Sequence, residues 1–273
     1  MTVPSTGSVL PRRSARTLSA VLLIAAALAG CGTPQSQQQP PRTESDKTDN
    51  DRRAQVRLEL ASGYFARGQY ETALDEVKLA MSAKPDLPEA INLRSLIYAA
   101  MGEFGLAEDG FKQLIARDRN NPDTLHNYGW FLCQRGRYAE SYQQFDAAVA
   151  VPTYRTPART LLAWGACEAR EGRLVPAQVH LVKAFEADPG NPTIAMNLGE
   201  VLYRQGEYER ARFYARRVNS NVEQANAASL WLELRIERRL GNAANMEDLG
   251  QQLRRKYPQA PETQALNNGR FDE

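Results

Sequence analysis

The chain has 273 residues, with 34 basic and 32 acidic side chains, and 42% of its residues are hydrophobic. Three arginines in the first 30 residues account for the net positive charge, because the rest of the chain holds 31 basic against 32 acidic side chains. A balance this close to neutral argues against nucleic acid as a partner, and the length allows one or two domains.

The amino terminus has the form of an export signal. Arg12, Arg13 and Arg16 precede an apolar run from Leu18 to Ala29, which is the order of charged and hydrophobic regions in a secretory leader. About a dozen apolar residues are fewer than the ~20 that a membrane-spanning helix needs. We therefore predict a signal peptide over residues 1–30.

A cysteine stands directly after this leader. The stretch from Leu28 to Cys31, LAGC, resembles the lipobox of bacterial lipoproteins, whereas an ordinary cleaved signal would leave Cys31 without a role. The resemblance implies lipidation of Cys31, and several acyl chains anchor a protein stably where one chain is marginal. Gly32 follows where Asp would retain a lipoprotein in the inner membrane, so the resemblance favours the outer membrane, with the protein facing the periplasm.

The next segment is polar. Residues 32–52 hold Gln, Pro, Ser, Thr and charged residues with no large apolar side chain, so they cannot bury enough surface to order themselves. We predict that residues 31–53 are the lipidated cysteine and a disordered tether, whose root-mean-square span is roughly 25 Å.

A glycine then recurs with a nearly constant period. Successive spacings are 34, 34, 36, 34 and 35 residues between Gly68, Gly102, Gly136, Gly172, Gly206 and Gly241. Each glycine follows one apolar helical segment and precedes another, which suits a left-handed turn between two helices. Small residues recur in phase five residues after and seven residues before most of these glycines. Such spacing is typical of tetratricopeptide repeats.

The sequence therefore predicts an all-α fold, a right-handed superhelix of six helix-turn-helix repeats over residues 54–260. Each hairpin would bury its apolar face only against its neighbours. In the last repeat Glu237, Arg238 and Arg239 stand where a core tyrosine would be expected, which indicates a terminal cap with a wet outer face. We expect residues 261–273 to form a frayed C-terminal tail.

No catalytic constellation is found in the sequence. His126 and His180 lie on different predicted helices without the paired spacing of metal ligands. No serine has a nucleophile-elbow context and no glycine-rich loop follows a strand. We predict a binding protein that is not an enzyme, with no catalytic residue, metal site, cofactor or small-molecule substrate.

Two cysteines remain in the predicted repeats. Cys133 and Cys167 fall on the first helices of adjacent hairpins, where they are either small buried hydrophobic residues or, in the oxidising periplasm, a disulfide closing a 34-residue loop. Both alternatives stay open, since neighbouring helices lie ~9 Å apart and bridged Cα atoms lie within ~7 Å.

The first helix of each repeat is expected to line a concave groove that binds a protein segment. Aromatic, Met and Arg side chains, which dominate binding hot spots, are frequent at its inward positions, although packing between repeats is an alternative for each residue. The inward positions are mostly apolar, which favours an apolar or extended peptide over a clamped C-terminal carboxylate. The predicted groove residues are Leu58, Phe65, Asn92, Leu96, His126, Trp130, Gln134, Leu162, Arg170, Met196, Tyr203, Arg204, Trp231 and Arg235.

The connection between repeats three and four departs from the strict period and contains Pro152, Tyr154 and Pro157. With the lipobox, the tether and the six repeats, this segment resembles the type IV pilus biogenesis and stability lipoproteins, the pilotins of the pilus secretin, over nearly the whole chain. The resemblance implies an outer-membrane lipoprotein that binds secretin subunits and promotes their localisation and multimerisation, for pilus biogenesis and twitching motility. It also favours a bridge between Cys133 and Cys167.

A second hypothesis is a lipoprotein subunit of the β-barrel assembly machinery, which also combines an acylated cysteine with tetratricopeptide repeats. Members of that family resemble a stack of five looser repeats, so the six regular repeats of this sequence count against this hypothesis. A third hypothesis, another cell-envelope scaffold, has no support from particular residues. The sequence leaves open which secretin segment is bound, whether the groove or an outer hydrophobic patch binds it, and the oligomeric state.

Overall fold

The computed structural model describes residues 48–271, so the predicted signal peptide and Cys31 lie outside the described residues. The described part contains thirteen α-helices and no strand, which confirms the predicted all-α repeat fold. Six helical hairpins follow one another: α1 (Asp49–Ala66) with α2 (Tyr70–Ala83), α3 (Pro88–Met101) with α4 (Phe104–Arg117), α5 (Pro122–Gln134) with α6 (Tyr138–Val149), α7 (Pro157–Glu171) with α8 (Leu174–Ala187), α9 (Pro192–Arg204) with α10 (Tyr208–Asn219), and α11 (Ala227–Arg239) with α12 (Ala243–Lys256), before the short α13 (Pro261–Asn267).

The turn within each hairpin depends on its glycine. All six repeating glycines have positive φ angles, from 72° at Gly136 to 91° at Gly172. This left-handed conformation costs glycine little because it has no Cβ atom. The predicted role of these glycines is confirmed.

The two helices of a hairpin approach closely because small residues face each other. Ala73, Ala107, Ser141, Ala177 and Ala211, each five residues after a turn glycine, are completely buried. On the facing helix of repeat four, a Cβ atom at Gly165 would lie 2.6 Å from Cγ of Leu181. A larger side chain at Gly165 would therefore force the hairpin apart.

The hydrophobic core runs from hairpin to hairpin. In repeats four to six, Leu181 of α8, Leu198 and Leu202 of α9, and Leu232 and Ile236 of α11 form one buried cluster. Each hairpin thus buries its apolar face against its neighbours, as a stack of repeats requires.

The first helix begins earlier than the sequence analysis predicts. Residues 49–53, predicted as tether, form the first turns of α1. The hydroxyl of Thr48 accepts a hydrogen bond from the backbone N–H of Asp51, whose carboxylate accepts one from the N–H of Thr48, a reciprocal capping box. Lys84 also pairs with Asp51 at 2.7 Å, so this end of α1 is held to the end of α2.

The prediction of a frayed tail is wrong for residues 261–271. Leu266 of α13 packs with Leu249 and Leu253 of α12. The hydroxyl of Thr263 donates to the carbonyl oxygen of Tyr257 at 2.7 Å, and Thr263 itself is buried. The tail is ordered because it covers apolar surface that no further hairpin covers.

The prediction of a wet outer face at Glu237 is also wrong. Glu237 is completely buried, and its Oε1 accepts a hydrogen bond from Nη2 of Arg216 at 2.7 Å. Arg216 also donates from Nε to Glu233 at 3.1 Å. A buried carboxylate must be paired, and the second helix of repeat five supplies the partner.

Candidate protein-binding surfaces

A hollow on the inner face spans the first helices of repeats one to four. It has a volume of about 340 Å³, and two predicted groove residues, Asn92 and Leu96, line it. The other lining residues are Ser62, Pro88, Glu89, Leu93, Asn121, Asp123, Thr124, Asn127 and Arg159.

The floor of this hollow is a chain of polar side chains. Asn127 donates from Nδ2 to Oδ1 of Asn92 at 3.3 Å and accepts from Nη2 of Arg159 at 2.9 Å. Arg159 also pairs with Asp123 at 3.2 Å. Asn127 and Arg159 line the hollow but are not among the predicted groove residues. The inner face is more polar here than predicted.

His126, a predicted groove residue, lies in the core. It is 7% exposed, its Nδ1 lies 2.9 Å from Oγ1 of Thr160, and Thr160 in turn contacts the hydroxyl of Tyr154 at 2.7 Å. Burial, with a smaller contribution from the positive charge of Arg159, lowers the pKa of His126 to about 3. The inward placement of His126 is therefore corrected, because Thr160 of α7 bonds to its ring and Tyr154 of the connection to repeat four bonds to Thr160.

Trp231, a second predicted groove residue, is also covered. It is 7% exposed, and the ring of Phe271 stacks on it with 5.6 Å between ring centroids. Phe271 belongs to the tail that is predicted to fray. Because the tail is ordered, Trp231 is covered and does not line the groove.

Two further predicted residues meet in the second half of the groove. The guanidinium of Arg235 lies 4.8 Å from the ring centroid of Tyr203 and donates to Glu200 at 2.6 Å. Arg204 remains exposed and donates to the carbonyl oxygen of Ala169 at 2.9 Å.

The remaining predicted groove residues divide by burial. Gln134 and Arg170 are exposed. The other five are partly buried and packed against core clusters that join neighbouring repeats: Leu58, Phe65, Trp130, Leu162 and Met196. Packing between repeats, the alternative stated for each residue, accounts for these five.

Cys133 and Cys167 form a disulfide. Their Cα atoms are 6.0 Å apart, within the range that a bridge requires. Both cysteines are completely buried, so the bond joins α5 to α7 inside the stack. The bridge that the resemblance favours is confirmed.

An apolar surface is exposed at the start of the stack. Val56 and Leu60 of α1 are 55% and 43% exposed, whereas Ile194 and Leu198, at the equivalent positions of repeat five, are buried. In repeat five the preceding hairpin covers this face, but no described hairpin precedes repeat one. We call Val56 and Leu60 the uncovered end.

The described residues hold no obvious metal site or membrane span. Within residues 48–271, no group of three or more His, Cys, Asp or Glu side chains is placed to bind a metal ion. None of the helices in this range is both long and apolar enough to cross a membrane.

Known proteins resemble the chain along most of its length. Models of the tetratricopeptide repeat match residues 111–143 and 169–230. The type IV pilus assembly protein PilF of Pseudomonas aeruginosa is 29% identical over 244 residues, which cover 89% of this chain and 95% of that protein. The solved structure of Pseudomonas aeruginosa PilF superimposes with a TM-score of 0.68 at 26% identity, covering 81% of this chain and all of that one.

A second solved structure decides the family. The crystal structure of PilW, a widely conserved type IV pilus biogenesis factor, is 30% identical with a TM-score of 0.70, covering 78% of this chain and 97% of that one. The chain belongs to the PilF and PilW family. As a PilF/PilW-type protein, it is a tetratricopeptide-repeat protein of type IV pilus biogenesis, which confirms the resemblance drawn from the sequence.

Proposed function

We propose that this protein is a non-catalytic assembly factor of the outer membrane. It binds subunits of the type IV pilus secretin in the periplasm and promotes their localisation and multimerisation, and acyl chains on Cys31 anchor it. The observation that carries the proposal is the likeness to PilF and PilW over almost their entire lengths.

The uncovered end is the surface we propose for the first contact with the secretin. Val56 and Leu60 are about half exposed, so burying the remaining surface would contribute roughly 1 kcal/mol for each side chain. On the inner face, by contrast, Asn92, Asn127 and Arg159 already bond to one another, so a ligand there would have to replace those bonds.

Charge substitution at the uncovered end tests this contact. We expect Leu60→Glu to weaken binding of purified secretin subunits at least tenfold, because a carboxylate would have to be buried at the contact. Val222→Glu is the matched control, since Val222 is 81% exposed and lies in the connection between repeats five and six. Equal affinities for the two variants would remove the uncovered end from the secretin contact.

The anchor has a separate test. Cys31→Ala should release the protein from the outer-membrane fraction into the soluble periplasm, because the thiol that would carry the first acyl chains is gone. Membrane fractionation unchanged from the wild type would contradict lipidation at Cys31.

A further inference from the structure

The outer face of the stack differs between repeats at one equivalent position. On the second helix of each hairpin, the residue seven positions after the turn glycine is exposed. It is polar in four repeats, as Asp75, Asp109, Gln143 and Asp248. In repeats four and five it is apolar, as Val179 and Phe213, which are 48% and 57% exposed.

A second apolar residue enlarges this surface. Val175 lies one turn before Val179 on α8 and is 71% exposed. We call Val175, Val179 and Phe213 the outer patch. At the position of Val179 and Phe213 the other four repeats carry polar residues, so exposed apolar side chains there indicate contact with another molecule.

A basic residue follows each apolar residue by one turn. Four residues after Val179 and Phe213 stand Lys183 and Arg217, where the other repeats have Leu79, Gln113, Ala147 and Gln252. Arg217 donates to the carbonyl oxygen of Pro189 at 3.3 Å and lies 5.5 Å from the ring centroid of Phe185. Within residues 48–271, neither Lys183 nor Arg217 has a carboxylate partner.

The helices α8 and α10 touch through aromatic rings. Phe185 of α8 and Tyr214 of α10 contact edge to face, with 5.1 Å between ring centroids. Arg217 of α10 also lies over the ring of Phe185 of α8, so the two helices that carry the apolar and basic residues meet at this point.

A hollow of about 540 Å³ lies next to Phe213 on α10. Three arginines line it together with Glu209. Arg212 pairs with Glu209, and Arg216 pairs with Glu233 and Glu237, so Arg217 is the lining arginine that has no carboxylate partner within residues 48–271. The full lining is Glu209, Arg212, Phe213, Arg216, Arg217 and Ser220.

We infer that the outer face of α8 and α10 is a second docking surface, which binds an amphipathic, acidic segment of the secretin. Apolar side chains of that segment would cover the outer patch, and its carboxylates would meet Lys183 and Arg217. The hollow favours a protein segment over a membrane surface, because a bilayer is entered by protruding side chains and does not fill hollows. This inference rests on the proposed function.

The test replaces Val179 and Phe213 by aspartate, the residue that repeats one, two and six carry at this position. Val179→Asp/Phe213→Asp should weaken binding of purified secretin subunits to the full chain in detergent at least tenfold. Gln143→Asp, at the same position in repeat three, is the matched control and should change affinity less than twofold. The neutral variant Val179→Gln/Phe213→Gln should also lose affinity, which covers the case that the paired aspartates disturb folding.

The charge row has its own readout. Lys183→Gln should weaken binding severalfold at low salt, and the difference from the wild type should shrink as salt screens the interaction. Lys183→Gln and the two paired variants are also sedimented with vesicles of phosphatidylethanolamine and phosphatidylglycerol, to measure the fraction of protein that binds a membrane.

The outcomes separate the two proposals. Secretin binding within twofold of the wild type for both paired variants would overturn the second docking surface and leave the proposed function standing. A loss of vesicle binding with secretin binding intact would overturn it in favour of a membrane contact. If the wild-type chain itself fails to bind secretin, the proposed function fails and this inference fails with it.

Discussion

His126 is a neutral side chain held inside the stack. Its pKa is lowered to about 3, mainly by burial, whereas a histidine in the unfolded chain titrates near 6.5. The unfolded chain therefore takes up a proton as the pH falls below about 6.5 while the folded chain does not, so the stability that His126 contributes is lost toward acid pH.

The pH dependence of stability tests this assignment. Between pH 7 and pH 5, His126 should cost the wild type about 2 kcal/mol of its free energy of unfolding. His126→Gln should lose correspondingly less over that interval, because glutamine does not titrate. Urea unfolding of both proteins at the two pH values measures the difference, and parallel losses would contradict a buried neutral His126.

Gly165 shows how tightly the hairpins are packed. A Cβ atom there would lie 2.6 Å from Cγ of Leu181 and 3.0 Å from the carbonyl oxygen of Ala177. Gly165→Ala should destabilise the protein by about 1–2 kcal/mol, since overpacking outweighs the better helix propensity of alanine. Gly105→Ala is the control, because nothing lies within 4 Å of its added Cβ atom. A higher urea midpoint for Gly165→Ala would contradict the close approach.

At the scale of helices, the disulfide is a covalent link between first helices of adjacent repeats. The 34 residues between Cys133 and Cys167 correspond to roughly 3–4 kcal/mol of stabilisation. Reduction should lower the melting temperature by about 10 °C for a domain of this size. A Cys133→Ala/Cys167→Ala variant should melt near the reduced wild type and ignore the reductant, whereas an unchanged wild-type transition would count against the bond.

The tail is the element that finishes the stack. The guanidinium of Arg238 lies 4.3 Å from the ring centroid of Phe271, so this ring sits between Arg238 and Trp231. Phe271→Ala should expose Trp231 and increase quenching of tryptophan fluorescence by acrylamide. Asn268→Ala, at the exposed end of α13, is the control. Quenching equal to that of the wild type would contradict the contact.

At the scale of the whole molecule, the sequence predicts well the features that recur in every repeat. The turn glycines, the small facing residues and the placement of the cysteines on first helices follow from one period, because each hairpin occupies the same environment. Gly165 and Ala177 could therefore be assigned to a helix contact from spacing alone.

What the sequence analysis missed lies where the period stops. His126 bonds to Thr160, which Tyr154 of an irregular connection also contacts, and Trp231 is covered by Phe271 of the tail. Neither contact has an equivalent in another repeat. The early start of α1 could have been predicted from Thr48 and Asp51, which form its capping box. The polar composition of residues 32–52 predicts a tether instead.

We propose that this PilF/PilW-type protein assembles the type IV pilus secretin. Heat-resistant secretin multimers in outer-membrane fractions of a deletion strain test it most directly. The account predicts that multimers disappear, with secretin left as monomer, and return when the full chain is supplied on a plasmid. Multimers at the wild-type level in the deletion strain would contradict it.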